Sequence, residues 1–237
     1  MFDWIKRGRY GLVTNKRVAV GVLGLLLLAW PVQAEMYSGI EGGFSIPNRF
    51  NDIRGEGSET GTTISDLSLR HSGAYGLKFG YYLDALPWLG FEAEIFNSTP
   101  NIKSQTITNT SVGSATSILT PGATLRVLNV SPVNVVVRYQ SGAFEPYAGV
   151  GLGIFMANLK DTATDLRSTT SSVGLNTQLG LRYRPTPTIA IFGEWKYNWT
   201  HLHFSDFTAT PSVAAGGAYT GTYSTHIFMV GVAYHYD

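Results

Sequence analysis

Apolar and polar residues alternate with a period of two in run after run from Met36 to the end of the chain. That period belongs to a strand with two unlike faces. Eight strands are expected. The first, Met36–Phe44, sets Met36, Ile40 and Phe44 against Gly39, Glu41 and Gly43. The second, Gly73–Leu83, sets Tyr75, Leu77, Phe79 and Tyr81 against Gly76, Lys78 and Gly80. The third, Leu89–Phe96, opposes Phe91 and Ile95 to Glu92 and Glu94. The fourth, about Leu125–Tyr139, opposes Val133, Val135 and Val137 to Asn134 and Arg138, with Pro132 weakening its upper part because proline cannot donate to a ladder. The fifth, Glu145–Ala157, sets Val150, Leu152 and Ile154 against Tyr147, Gly149, Gly151 and Gly153. The sixth, Val173–Tyr183, opposes Leu179 and Leu181 to Gln178 and Arg182. The seventh, Ile189–Phe204, opposes Ile191, Trp195 and Trp199 to Glu194, Lys196 and Asn198. The last, His226–Asp237, carries Phe228, Val230, Val232, Tyr234 and Tyr236 on one face.

The connections alternate in length. Segments 84–88, 140–144 and 184–188 are tight; segments 45–72, 97–124, 158–172 and 205–222 are long, polar and read as loops. Short turns at one end and long loops at the other describe a transmembrane β-barrel with both chain ends on the short-turn side. The polar faces agree. Water-facing strand surfaces favour Lys and Glu, whereas these are sparse: Glu41, Lys78, Glu92, Glu94, Arg138, Arg182, Glu194 and Lys196, set among Gly, Asn and Gln. Four acids and four bases suit a narrow interior in which each charge is paired. Glu92 and Glu94 are expected near Lys78 or Arg138, and Glu194 near Arg182. Gly149, Gly151 and Gly153 should leave room for Tyr147 and Phe155. The fold expected is all-β: an eight-stranded antiparallel up-and-down transmembrane barrel, which is about wide enough for side chains to fill.

The start of the chain reads as an export signal. Lys6, Arg7, Arg9, Lys16 and Arg17 precede the apolar run Val18–Trp30, and Val32 and Ala34 are the small residues before a cut ahead of Glu35. The run is short of the ~20 apolar residues of a spanning helix. Residues 1–34 are thus expected to be a signal peptide and 35–237 the barrel domain. Composition narrows the classes further. Charged residues make up only 14%, against about 25% in an average soluble domain. A net charge of +1 argues against nucleic acid as a partner. The absence of cysteine excludes disulfides and thiolate-bound metals.

The stretches GYYLDALPWLGFEAEIF (Gly80–Phe96), VVVRYQSGAFEPYAGVGLGI (Val135–Ile154), LGLRYRP (Leu179–Pro185), IFGEWKYNW (Ile191–Trp199) and GVAYHY (Gly231–Tyr236) together resemble the OmpA-like family of small outer-membrane barrels, which includes the opacity-type and OmpX proteins. The last strand resembles the family's terminal strand: Gly231, Tyr234 and Tyr236 fill its glycine and aromatic places, and Asp237 departs from it. The resemblance implies an outer-membrane location, outer-membrane lipid and lipopolysaccharide as surroundings, and recognition of the terminal strand by the barrel assembly machinery. It names no surface ligand.

Chemistry is weakly signalled. His71, His201, His203 and His226 fall near the outer rim and His235 near the opposite end; Ser72, Ser205, Ser224, Asp66 and Asp206 lie beside some of them. A Ser–His–acid set is possible in composition, but triads are recognised by geometry. His201 and His203 share a strand face without a fixed third ligand, a poor metal site. The glycines of Gly149–Gly153 precede no helix and so form no phosphate loop. The reading is a structural or surface-interaction barrel with no catalytic, cofactor or metal site. A narrow conduit for small, even apolar, solutes and a lipid A-modifying enzyme are the alternatives.

Overall fold

A computed structural model describes residues 35–57, 59–111, 114–120, 122–161, 167–205 and 217–236. The expected signal peptide, residues 1–34, lies outside them, as does Asp206. Among the described residues there are twelve strands: β1 Glu35–Pro47, β2 Asn51–Gly57, β3 Thr63–Ile64, β4 Ser72–Leu83, β5 Leu86–Ser98, β6 Gln105–Ser111, β7 Ser114–Thr120, β8 Ala123–Arg138, β9 Phe144–Asp161, β10 Arg167–Tyr183, β11 Ile189–Phe204 and β12 Gly217–Tyr236. All pair antiparallel in one sheet. Eight of them close a ring in the order β1-β4-β5-β8-β9-β10-β11-β12, sealed where β1 pairs with β12 from Met36 opposite Tyr236 to Pro47 opposite Thr225.

Twelve strands, where the pattern expects eight, have a simple origin. The other four carry the ladder upward past the ring. β2 takes over from β1 beside β12, β3 pairs with β2, β6 with β3 and β7 with β6. They occupy 45–72 and 97–124, which read as loops. Their residues explain the difference. Thr and Ile fit a pleated surface, and Ile53, Ile64 and Ile107 are all buried in an apolar core. That core also takes in Phe50, Leu125, Val127, Phe155, Leu159, Leu202, Phe204 and Tyr223. The upper interior is therefore packed as a hydrophobic core, which the sequence pattern did not announce.

The faces of the ring strands are sorted by the pleat. Ile40, Phe79, Val135, Val150, Leu152, Leu179, Ile191 and Val230 point outward and are exposed, while the residues alternating with them are buried or, at several glycines, half-buried. From Tyr75 to Leu83 an extended chain rises about 26 Å, or about 20 Å along the membrane normal at the usual tilt. Tyr81, Trp88, Tyr139, Tyr183, Tyr234 and Tyr236 mark the lower edge of this belt. The short turns sit below it; Gly142, at φ 62°, supplies the left-handed backbone that one of them needs.

β8 contains a register shift against both neighbours, between Val130 and Val133 on one side and opposite Glu92/Glu94 on the other. The extra residue at Ser131–Pro132 is a bulge, one of the places a sheet tolerates proline. It exchanges the two faces. Above it Leu125, Val127 and Asn129 are buried; below it Asn134, Val136 and Arg138 are. This is why the strand reads apolar on both sides.

Candidate functional site

All eight charged residues picked out by the pattern point inward, and none exceeds 6% exposure. They do not form one evenly paired set. Glu41 (β1), Lys78 (β4), Glu92 and Glu94 (β5), Glu194 and Lys196 (β11) meet at mid-barrel. Lys78 Nζ lies 2.8 and 2.9 Å from the two Glu194 oxygens, 3.4 Å from Glu41 Oε2 and 3.5 Å from Glu92 Oε1. Lys196 Nζ lies 2.9 Å from Glu41 Oε1 and 2.8 Å from Glu194 Oε1, and it also touches Glu94 Oε1. Four carboxylates thus surround two ammonium groups, and each ammonium is shared.

Neutral donors take up the remaining carboxylate oxygens. Tyr37 OH donates to Glu92 at 2.6 Å, Tyr147 OH to Glu194 at 2.7 Å and the Gln178 amide to Glu92 at 2.8 Å. Asn176 donates to Glu94 at 3.3 Å and receives a 2.7 Å bond from Asn198. Buried polar groups need such partners, since an unmet one costs about 1–3 kcal/mol.

Arg138 and Arg182 belong to a second cluster at the lower mouth. Arg138 Nη2 is 2.6 Å from Glu35, and Arg184 Nη1 is 2.7 Å from Glu35 and 3.1 Å from Glu145. His235 Nδ1 is 2.7 Å from Glu35. Arg182 lies 3.6 Å from Glu145 and over the rings of Tyr37 and Tyr147. The expected pairing of Glu194 with Arg182 is therefore absent. In the β10–β11 register Glu194 faces Gly180 while Arg182 faces Phe192. The long arginine side chain then reaches the mouth, and the Tyr147 side chain stands between the two charges, with its hydroxyl on Glu194 and its ring under Arg182. Glu92 does lie near Lys78, as expected, but the partner of Glu94 is Lys196.

The expected glycine partners are also redistributed. A Cβ on Gly149, Gly151 or Gly153 would meet Gln178, Asn134 or Asn129 respectively. Tyr147 instead occupies the space over Gly180, and Phe155 that over Gly174. Each large ring sits across the strand pair from a glycine rather than along its own strand.

The pattern passed over Glu35, Tyr37, Glu145 and Arg184, and it set Tyr147 and Gln178 on inward faces and His235 at the lower end without assigning them a part in the ion clusters. The same parity that marks Glu41 would have marked Tyr37 and Glu35, and that of Gly149 marks Glu145 and Tyr147.

Glu35 opens β1 one residue beyond Met36, below the apolar belt. Burial pushes its carboxyl up, but hydrogen bonds from His235 and Arg138 and the charges of Arg138 and Arg184 outweigh this and hold it well below the usual carboxylate range. At the top, beyond the ring, Tyr219 is pushed up to about 12 by burial and by the neighbouring Glu59 carboxylate.

Three of the four rim histidines, His201, His203 and His226, contact groups other than serine. The His201 ring contacts Thr222 Oγ1 at 3.2 Å, His203 pairs with Glu56 at 3.1 Å, and His226 accepts the Trp195 indole N–H at 3.2 Å. Ser72 accepts from the Thr99 amide and Ser224 from Asn48. Among the described residues the one group of three potential metal ligands is Glu41, Glu94 and Glu194. The Lys196 ammonium contacts all three carboxylates. A groove of about 590 Å³ opens on the outer wall over Gly193, between Leu179, Leu181, Trp195, Phe228 and Val230; it faces lipid rather than the lumen.

In the terminal strand, Gly231 gives the inward Phe192 ring its space, and Tyr234 and Tyr236 are exposed with their rings 5.0 Å apart at the lower edge of the belt.

Comparison with known proteins places this architecture. No curated protein matches the chain. Among solved structures it is similar to the outer membrane protein OprG from Pseudomonas aeruginosa, at 17% identity, covering 86% of this chain and 97% of that one, with a TM-score of 0.56. It is similar to outer membrane protein AlkL in lipid bilayers, at 14% identity over 88% and 93% of the two chains, with a TM-score of 0.54. The outer membrane protease OmpT from Escherichia coli is also similar in fold, at 10% identity over 88% and 99%, with a TM-score of 0.51. These likenesses concern the fold. The outer membrane protein beta-barrel domain matches residues 20–236, so the chain belongs to that family of antiparallel barrels and resides in the outer membrane.

Proposed function

We propose that this chain is a closed-lumen barrel with a structural or surface-interaction role and no catalysis, crossing the outer membrane on its eight ring strands. One observation carries the reading. The interior is occupied at three heights: by the arginine–glutamate cluster at the mouth, by the carboxylate–ammonium layer at mid-barrel and by the apolar core above. A water path would have to part all three. The upper strands support a surface role. Among the described residues β7 pairs on one side only, with β6, and Ser114–Thr120 carries no charge. Edge strands are usually blunted by charge or proline, so an uncharged edge is suited to pairing with another chain. The rim geometry supports the absence of hydrolysis at His201, His203 and His226, whose imidazoles contact Thr222, Glu56 and Trp195.

Residues 1–34 are proposed as the export signal. The strand carrying Gly231, Tyr234 and Tyr236 is proposed as the assembly signal read by the barrel assembly machinery. The test is conductance in planar bilayers together with the mobility shift on heating. Purified protein should shift on heating and conduct no ions. Steady open channels would overturn the closed-lumen reading.

A second reading, a conduit for small apolar solutes, is favoured by the apolar character of the upper core around Leu125, Phe155, Leu202 and Tyr223, which would have to part to admit them. Uptake of a small alkane into proteoliposomes at a rate above protein-free vesicles would select it.

A further inference from the structure

The outer face of β11 carries two histidines at its upper end. Leu202, between them, is buried in the apolar core, so the pleat turns His201 and His203 outward, where both are exposed. Residues two apart on one strand face stand about 6.8 Å from each other. Imidazoles leaning together from that spacing can share one ion held at about 2.0–2.1 Å from each nitrogen. In the sequence the pair is a poor site because nothing fixes its rings. The fold supplies what fixes them.

β12 sets Thr222 opposite His201 and Thr220 opposite His203. β2, on the far side of β12, sets Glu56 opposite Ala218. His201 Nδ1 thereby meets the Thr222 hydroxyl at 3.2 Å, and His203 Nδ1 meets the Glu56 carboxylate at 3.1 Å. Each ring is held at Nδ1 by an oxygen from a different strand. Among the described residues neither Nε2 has a partner. A neutral His203 that donates its Nδ1–H to Glu56 keeps the Nε2 lone pair free, which is the form that binds a metal. A carboxylate behind a histidine is the usual outer support of a metal ligand: it fixes the tautomer and makes the front nitrogen more basic. Arg54 shares the row of Thr220 and His203 and opposes a cation, while Asp52 and Glu56 on the same strand offset it. The height leaves the pair in reach of water. From Ile191, level with Tyr183 at the lower edge of the belt, up to His201, β11 rises about 33 Å, or about 25 Å along the normal, which is the height of an outer-membrane apolar band.

We propose that His201 and His203 bind one divalent transition-metal ion through their Nε2 atoms at the outer rim, with Glu56 and Thr222 as positioning residues. The paired imidazoles select the class of ion. They suit zinc, copper and nickel, whereas calcium and magnesium take oxygen ligands. The other coordination positions face outward and are filled by water. The site is separate from the buried carboxylates of the lumen and stands whether or not the lumen conducts.

The experiment is calorimetric titration of zinc into the full folded chain in detergent micelles, without a polyhistidine tag and in a buffer that does not bind metal. Wild type should take up one ion per chain. Glu56→Gln should lower the affinity roughly tenfold, the lower end for an outer support of a metal ligand. His201→Ala and His203→Ala should each lower it further. His71→Ala, which removes another exposed rim histidine, should match wild type. Copper(II) at one equivalent gives a second readout by electron paramagnetic resonance. Two coupled nitrogens should appear in wild type and in Glu56→Gln, and fewer than two in His203→Ala. A heat-dependent mobility shift certifies the fold of each variant; if His203→Ala lacks it, His203→Gln is read instead.

Undiminished zinc binding when both His201 and His203 are alanine, or an equal loss in His71→Ala, would overturn the proposal. Wild-type affinity in Glu56→Gln would do so as well, since the carboxylate behind His203 is what distinguishes this pair from chance surface imidazoles. Displacement of zinc by an equal concentration of calcium would also overturn it, because the ligands would then be carboxylates.

Discussion

Lys196 is the internal cation of a cage built from three strands. One oxygen each from Glu41, Glu94 and Glu194 lies within 4.8 Å of the others, and the ammonium contacts all three carboxylates. Removing one member of a buried ion network costs about 3–5 kcal/mol, because the partners left behind are charged and dry. Lys196→Ala should lose about that much, measured by urea unfolding in lipid vesicles. It should also create what the wild type lacks, an empty pocket of three carboxylates suited to a hard cation. Calcium should then raise the stability of Lys196→Ala and leave the wild type unchanged; a variant indifferent to both calcium and chelator would show that the cage collapses. At this scale the sequence was legible as far as parity reaches. Every second residue of a strand shares a face, so Glu41, Lys78 and Lys196 could be picked as inward. Their partners could not be, because a lysine side chain crosses the lumen to strands that are distant in sequence, and Tyr147 takes the place that Arg182 was expected to fill.

A strand in this wall succeeds when its outer face suits lipid and its inner face suits the neighbour across the lumen. Val150 lies midway along the outward face of β9, between Phe144 and Met156, and is 50% exposed to what surrounds the barrel. Val150→Arg should cost about 2–4 kcal/mol, the value for arginine at the bilayer midplane. Ser114→Arg, on the exposed β7, should change folding by less than about 0.5 kcal/mol. Equal tolerance at the two positions, in refolding yield into vesicles, would contradict the placement of the belt. The outward faces were readable because alternation is unambiguous where one side meets lipid and the other a polar lumen. β2, β3, β6 and β7 were not, because β3, β6 and β7 are mostly Ser, Thr and Asn with isolated apolar residues and β2 is Asn, Gly and charged residues around one isoleucine, and such compositions also describe a loop. The β8 bulge hid for a related reason. A shift of one residue exchanges the faces, and the stretch Val127–Val137 is apolar enough on both sides to conceal it.

Over the whole molecule, closure depends on the seam between the first and last strands and on what ties it across the mouth. Glu35 on β1 binds Arg138 at the end of β8, Arg184 just past β10 and His235 on β12. One carboxylate thus links the seam to the far wall. Its folded-state affinity for a proton is depressed below the usual value of 4.5 by His235, Arg138 and Arg184. A carboxyl depressed in this way contributes stability that is fully present above its unfolded value and fades as pH falls through the folded one. Wild-type barrels in vesicles should therefore unfold at a higher urea concentration than Glu35→Gln at neutral pH. The gap should hold down to about pH 5 and narrow below about 4.5, as the unfolded chain takes up the proton that the folded mouth resists. The mid-barrel layer is unchanged in this variant, so conductance should stay closed throughout. A gap that persists unchanged to pH 2 would mean that Glu35 acts through shape rather than charge, and that the mouth is tied by packing of Tyr37 and Tyr82 instead.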